Sequence, residues 1–552
     1  MLAKKILQKR NILLVSLLAL LIPFSSKQID ASQSPKKKIT IMCYMNGDNN
    51  LANEVLYAVD MMETVGSSQD VDIIALVDGM PGENGGYGSQ WEQTKLLHIT
   101  KDDEIGVINS RVIEDMGEEN LGDPQVLEEF IKKSLQYPSD KYVFIFFSHG
   151  RGIIDTKSFD NHRDYKSVLL SPDETGQRAM DHQEFAQAIK NGLSGEKFHL
   201  MLFFSCLTNM VEVGYGLQDV TDYMIGSEDE IRMVNKPPGM FQIRGIEPEK
   251  LIDRLTSNPD MPALEMGKVT IDSFASQYEA DINIQNDDGT RFSVKYPATL
   301  ALVNCQKYDK ISKSIDILSR YLIEKIKQKQ SGKVALTSLH SAVNASQKYP
   351  SFLNLEYLDL QDILENLSYY SEDARLKKFC QNSIDILENE LILYERHTDD
   401  SRSNGVSIFF PNFLVPENIY RSHMNMYSNS RFSKDTSWGE LIDTYRVQMQ
   451  ERYTELLVDE YEQACENSDT KTMMRLSSKL SRELRKDLAK GTYFSVKKYL
   501  AILEKMDRAT MPMDFVHYLQ EVSSMPDNHQ QVNDDLLETV ERLLLSKGIT
   551  GG

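Results

Sequence analysis

Two runs, Tyr142–Phe147 and Phe198–Phe204, constrain this chain most, being apolar almost throughout and too short for buried helices. They lack the apolar–polar alternation of a half-wetted strand, so both of their faces must be covered. Ile39–Met45 and Val71–Val77 repeat the pattern. Helical signals lie between them. Leu51, Val55, Val59 and Met62 recur at helical spacing after a Gly47–Asn50 segment suited to a turn and a helix cap. Asp123-Pro124 offers a cap and a first-turn proline to a helix with the stripe Val126, Leu127, Phe130, Ile131 and Leu135. Asp181 and Glu184 have the spacing of a capping box for a helix through Ile189. Strand–helix alternation of this kind predicts an α/β fold, a mostly parallel sheet with helices on both faces.

The glycine-rich tract Pro81–Ser89 precedes no helical pattern and reads as a loop, not a phosphate cradle. Beyond about Pro248 long amphipathic helices take over, with a late strand, Gly405–Pro411, alone among them. From Trp438 to residue 552 the pattern predicts a separate helical C-terminal appendage. A chain of 552 residues exceeds one ordinary core, so two or three domains are expected.

Composition excludes several roles. With 61 Lys+Arg against 82 Asp+Glu the net charge is −21, which argues against nucleic acid and anionic lipid as partners. The 5 cysteines are too few and too scattered for a disulfide scaffold, and without a CxxC they form no zinc knot. Lys4, Lys5, Lys9 and Arg10 precede an apolar run from Ile12 to Phe24, the layout of a secretory signal over residues 1–31. The run is shorter than a membrane span requires. The expected location is secreted, periplasmic or cell-surface, with membrane attachment only if this segment stays uncleaved.

Two of the apolar strands end in reactive residues, one in Ser148-His149-Gly150 and the other in Ser205-Cys206. Catalytic groups gather at the carboxyl ends of parallel strands, and neighbouring strands lie about 4.8 Å apart. An imidazole and a thiol delivered there fit nucleophilic catalysis, in which the thiolate attacks and the imidazole takes its proton. The backbone N–H groups of Gly150 and Cys206 are placed to hold an oxyanion. The separation of His149 from Cys206 is close to the roughly 50 residues of the caspase signature. His162, Asp164, His182 and Glu184 have no metal-ligand spacing, so no metal site is assigned. Asp48, Asn49 and Asp78 sit at strand exits, where turn and cap roles are favoured over substrate positioning. Cys43 reads as inert packing.

Four stretches resemble the clostripain-like cysteine peptidases, relatives of caspases, gingipains and legumains. They are Tyr44–Leu51, Tyr137–Gly152 with its Ser-His-Gly, Phe203–Val213 with its Ser-Cys, and Asn404–Pro411. The resemblance implies a caspase-like peptidase domain over residues 39–415, with His149 as base and Cys206 as nucleophile. It implies protein or peptide substrates, often cut after Arg or Lys. The family's acidic residue two positions before the cysteine is Phe204 here, beside Ser205, so Glu228, Asp229 or Glu230 are the candidates for the missing charge. Self-cleavage after Arg163 or Lys166 is expected by the same likeness. No cofactor is expected; the resemblance admits calcium without placing it, and the sequence holds no EF-hand-like loop. The competing reading keeps the peptidase fold as a binding module that does not cut.

Overall fold

The computed structural model describes residues 35–80, 91, 93–153, 170–231, 245, 247–279, 282–285, 290–294, 296–328, 332–350, 356–398, 401–489, 494–505, 517, 519–520 and 534–547. The expected signal over residues 1–31, the Pro81–Ser89 loop and the cleavage candidates Arg163 and Lys166 lie outside the described residues.

The first half of the chain runs β1 (Lys37–Gly47), α1 (Ala52–Glu63), β2 (Val71–Gly79), β3 (Thr94–His98), β4 (Arg111–Gly117), α2 (Pro124–Ser134), β5 (Ser139–Phe147), β6 (Leu170–Asp173), β7 (Arg178–Met180), α3 (His182–Leu193), β8 (Phe198–Phe204), α4 (Val211–Leu217) and β9 (Thr221–Gly226). There follow α5 (Pro248–Ser257), α6 (Ala263–Tyr278), the hairpin β10 (Ile282–Gln285) and β11 (Arg291–Val294), β12 (Thr299–Asn304), α7 (Tyr308–Lys327), α8 (Gly332–Ala345), β13 (Lys348–Pro350) and β14 (Glu356–Asp359). The remainder is α9 (Leu360–Tyr370), α10 (Ala374–Ile386), β15 (Ile392–His397), β16 (Ser407–Phe409), α11 (Glu417–Tyr427), α12 (Arg431–Asp435), α13 (Trp438–Glu466), α14 (Thr470–Ala489), α15 (Phe494–Lys505) and α16 (Asp534–Ser546).

Nine strands form one sheet in the order β15-β12-β9-β8-β5-β1-β2-β3-β4. The middle five are parallel, and four of them, β1, β2, β5 and β8, have the continuous apolar sequences of strands covered on both faces. The flanks are not. β12 and β15 on one side and β3 and β4 on the other pair antiparallel, a feature the apolar runs did not announce. Strand periodicity divides the sheet's side chains between two cores. Met42, Tyr44, Phe144 and Phe146 join α2, α3, α4 and α7 on one face. Ile41, Cys43, Val143, Ile145 and Phe147 join α1, α5 and α6 on the other. Helices therefore cover both faces, and Cys43 is buried against Met62, its thiol pushed up by burial.

The two helix starts written into the sequence form as expected. Asp123 accepts from Gln125 N at 2.9 Å, and Asp181 and Glu184 close a reciprocal capping box. The cap expected from Gly47–Asn50 does not form: α1 starts at Leu51 without a side-chain cap, and the Asp48 carboxylate turns to Thr175 N at 2.8 Å. The late strand is not alone. β16 pairs with β14, which pairs with β13, in a small separate sheet. Trp438, where the appendage was expected to start, opens α13, and the first half of that helix joins the peptidase core. Trp438 Nε1 donates to Phe409 O at 2.8 Å, and buried Arg446 donates to Phe413 O and Val415 O, each at 2.8 Å.

Candidate active site

Adjacent strands β5 and β8 run in register with Phe147 opposite Phe204, so the two expected reactive residues leave the sheet at one level. Phe147 and Phe204 stack with ring centroids 4.9 Å apart and wall a cavity of about 280 Å³. His149 and Cys206 both line it. The strand tips are very close here: a Cβ on Gly150 would lie 2.3 Å from Ser205 Oγ and 2.6 Å from Cys206 O. Only glycine fits such an approach. Gly152, at φ +71°, lies against the Tyr357 ring, whose hydroxyl donates to Arg151 O at 3.0 Å and fixes the chain after the histidine.

His149 Nε2 lies 2.6 Å from Asn50 Oδ1. The amide oxygen accepts the Nε2 proton, which leaves Nδ1 unprotonated and able to accept one. Burial, helped by the Arg151 charge, pushes the imidazole down to about 4. Cys206 Sγ accepts from Ile231 N at 3.2 Å. Burial pushes this thiol up to about 12; Glu230 and Asp229 act in the same sense, whereas the Ile231 N–H and Arg151 oppose it. Among the described residues no direct hydrogen bond joins the imidazole to the sulfur, so both groups rest neutral in a shared cavity. Leu207, immediately after the cysteine, has a left-handed φ of +54°, and its N–H is held by Asp229 O at 3.2 Å.

Acidic side chains reach the cavity from elements the sequence did not single out. Glu54 in the first turn of α1, and Glu247 and Glu249 at the start of α5, line the cavity. Burial and then the Glu247 charge push Glu249 up to about 7. Burial, with the charges of Glu249 and Glu247, also raises Tyr57 in the same wall. The acidic candidates Glu228, Asp229 and Glu230 do not line the cavity. Glu228 is buried away from the cavity, where it accepts from Gly405 N at 2.7 Å beside Asp359. Asp229 and Glu230 flank the sulfur but do not line the cavity. No sequence signal could have joined Glu54 to Glu247 and Glu249, because their meeting depends on α1 packing against α5.

The segment after Cys206 is braced from the small sheet. Asn209 Nδ2 donates to Gly405 O at 2.5 Å, Ser407 N to Asn209 O at 3.0 Å, and Phe409 N to Glu212 Oε1 at 3.0 Å. At the exits of β1, β2 and β6, one oxygen from each of Asp48, Asp78 and Asp173 lies within 4.8 Å of the others, all three residues being buried. Burial and mutual repulsion push Asp78 and Asp173 up to about 8. Of the residues set aside as metal ligands, His182 binds Gly152 O at 2.8 Å and Glu184 serves the capping box, while His162 and Asp164 lie outside the described residues. A larger cleft of about 800 Å³, between α3, α4 and α12, contains neither His149 nor Cys206.

No described helix is long and apolar enough to cross a membrane. The Clostripain family model matches residues 43–445, most of the chain. Clostripain of Hathewaya histolytica is 24% identical over 447 residues, covering 75% of this chain and 82% of its own. Two X-ray structures share the fold at TM-score 0.50 and 16% identity, each covering 73% of this chain and 99% of its own. One is a secreted C11 cysteine protease from Bacteroides thetaiotaomicron in complex with an irreversible peptide inhibitor, the other an inactive zymogen C11 protease from Parabacteroides distasonis. A caspase-like sheet, a thiol and an imidazole facing one cavity, and a family match over most of the chain agree: this chain belongs to the clostripain family and is a cysteine-type endopeptidase.

Proposed function

We propose that His149 and Cys206 form the catalytic dyad and that the cavity beside them takes an Arg or Lys side chain preceding the cut. One observation carries the reading: a single cavity presents the imidazole, the sulfur and three glutamates. A buried carboxylate pairs strongly with a guanidinium or ammonium, and the Phe204 ring adds a face over which a cation can sit. Glu54, Glu247 and Glu249 thus stand in for the acidic residue expected two positions before the cysteine.

In this mechanism the substrate displaces the Ile231 contact. His149 Nδ1 takes the Sγ proton as the sulfur attacks the scissile carbonyl, and the Gly150 and Cys206 N–H groups receive the oxyanion. Collapse breaks the C–N bond, the imidazolium protonates the departing amine, and a thioester remains. Water, deprotonated by the same imidazole, hydrolyses it. Neutral resting groups mean that nucleophile activation waits for bound substrate. A peptidyl acyloxymethyl ketone with Lys at its P1 position should label Cys206 selectively, and His149→Ala should abolish labelling. Equal, slow reaction at all five cysteines overturns the dyad, and equal rates with Lys and norleucine probes overturn the basic preference.

The same specificity supports self-processing after Arg163 or Lys166. Incubation beside Cys206→Ala tests it, since identical band patterns on a denaturing gel dispose of it. The basic start and apolar run to Phe24 support export, which amino-terminal sequencing of the protein from the culture medium or cell envelope checks.

A further inference from the structure

Helix α14 lies beyond residues 43–445, which the Clostripain family model matches, and the proposed cleavage makes no use of it. Its charge runs against that of the chain. In a protein of net charge −21, Thr470–Ala489 carries Lys471, Arg475, Lys479, Arg482, Arg485 and Lys486 against only Glu483 and Asp487. Helical periodicity sorts these residues. Met473, Leu476, Leu480 and Leu484 are buried, and α14 packs on α13 and α15. Glu483, also buried, and Asp487 fall on the side of Leu476 and Leu480. Lys471, Arg475, Arg482 and Lys486 fall on the exposed side, in a row about 22 Å long. Arg475 pairs with Glu460, while Arg482 and Lys486 reach Glu483 at 3.3 and 2.9 Å, yet these three side chains stay 60%, 62% and 55% exposed. Met474, one turn from Lys471, is 74% exposed.

We infer that this face of α14 docks on the surface of a bilayer rich in anionic phospholipid. Charge complementarity carries the inference. A face that only solvates a helix usually mixes its signs, whereas this row holds four cations and no carboxylate. Clusters of four to eight Lys and Arg on an amphipathic helix gain about fivefold in affinity per cation beside such a surface. The total of −21 does not forbid this contact, because salt limits the reach of each charge to about 8–10 Å. The face that meets the membrane decides, and the acidic remainder favours an orientation turned away from it. Long flexible cations around one exposed methionine suit mobile headgroups and a shallow apolar contact. A folded acidic partner would call for a larger apolar centre than Met474 provides.

The test uses full-length Cys206→Ala protein, which keeps the chain in one piece, sedimented with vesicles of phosphatidylcholine alone or with about 30 mol% phosphatidylglycerol. Binding should require phosphatidylglycerol and fall at least tenfold between about 50 mM and about 300 mM NaCl. A retained amino-terminal apolar run would instead bind both vesicles alike, so the phosphatidylcholine arm separates the two. Lys471→Gln/Arg475→Gln/Lys486→Gln, which leaves Arg482 to Glu483, should bind about 10²-fold more weakly with its Tm within a few degrees of the parent's. Lys471→Gln alone should bind about fivefold more weakly, and Lys471→Arg/Lys486→Arg should bind as the parent does. Equal binding to both vesicles, or a triple variant that binds like the parent, overturns the inference. Self-association abolished in the triple variant, without vesicle binding by the parent, also overturns it and assigns the row to the acidic surface of a second copy. None of these readouts involves turnover, so failure here is distinct from failure of the dyad.

Discussion

Glu249 sits at the start of α5 with its carboxyl pushed up to about 7, first by burial and then by the charge of Glu247. A carboxylic acid so placed is neutral below that pH and charged above it. If it meets the substrate's basic side chain, selectivity must follow its ionisation. The ratio of kcat/KM for Arg over norleucine before the cut should therefore rise about tenfold between pH 6 and pH 8. Taking the ratio cancels the titration of the dyad, which both substrates share. In Glu249→Gln the rise should vanish, leaving a lower, flatter ratio. A ratio flat across this range in the parent enzyme would show that Glu249 does not face the bound side chain. Phe204 has no such dependence; its ring is stacked on Phe147 and contributes shape.

Elements set how close the reacting groups come. The register of β5 against β8 leaves no room for a side chain at residue 150. Gly150→Ala should separate the strand tips and misplace the proposed oxyanion donors, lowering kcat by about 10²-fold or more and, because the clash is with backbone, costing about 1–3 kcal/mol of stability. Unchanged kcat would mean that the Gly150 N–H takes no part. Element scale also shows what the sequence could disclose. Continuous apolar runs exposed four of the five central strands, β1, β2, β5 and β8, because burial on both faces leaves that mark whatever the partners are; β9, only partly buried near its start, carries polar residues and left no such run. The antiparallel flanks left less: β4 is largely exposed at the sheet's edge, so its sequence bears no burial pattern. That His149 and Cys206 would line one cavity was legible because strand ends collect catalytic groups. The glutamates were not, because their meeting is decided by α1 packing on α5. The Asp cluster is similar, since Asp173 reaches Asp48 and Asp78 only through β6. At the other end, α13 is tied in by Arg446, which sits 3.9 Å from the Tyr420 ring centroid besides bonding two carbonyls. Arg446→Ala strands both acceptors and should cost about 2–4 kcal/mol in denaturant unfolding. A loss below about 0.5 kcal/mol would show that α13 is an independent appendage after all.

Over the whole molecule, the main sheet and the small β13–β14–β16 sheet meet along a seam that is acidic and buried. Glu228 crosses it, taking the Gly405 N–H while lying beside Asp359. Burial and then the neighbouring Asp359 charge hold Glu228 well above its ordinary range, and burial raises Asp359 to about 6. Near neutral pH the pair therefore keeps a proton on Glu228. A group whose pKa is raised by folding contributes stability that is complete below its unfolded value and lost as pH climbs through its folded value. The seam should weaken as pH rises above the ordinary carboxylate range, and with it the hold on the segment from Cys206 through α4 and β9 to Asp229, which carries the proposed nucleophile. Glu228→Gln keeps a donor for Asp359 and an acceptor for Gly405 but cannot ionise. Its Tm should equal the parent's near pH 4, where the unfolded carboxyl is still protonated, and exceed it increasingly as pH rises above about 5, with residual activity after alkaline incubation following the same order. Glu228→Ala, which leaves the buried Gly405 N–H without its acceptor, should be less stable at every pH by about 1–3 kcal/mol. If the Gln variant and the parent lose stability in parallel as pH rises, the seam does not titrate through Glu228 and another group sets the alkaline limit.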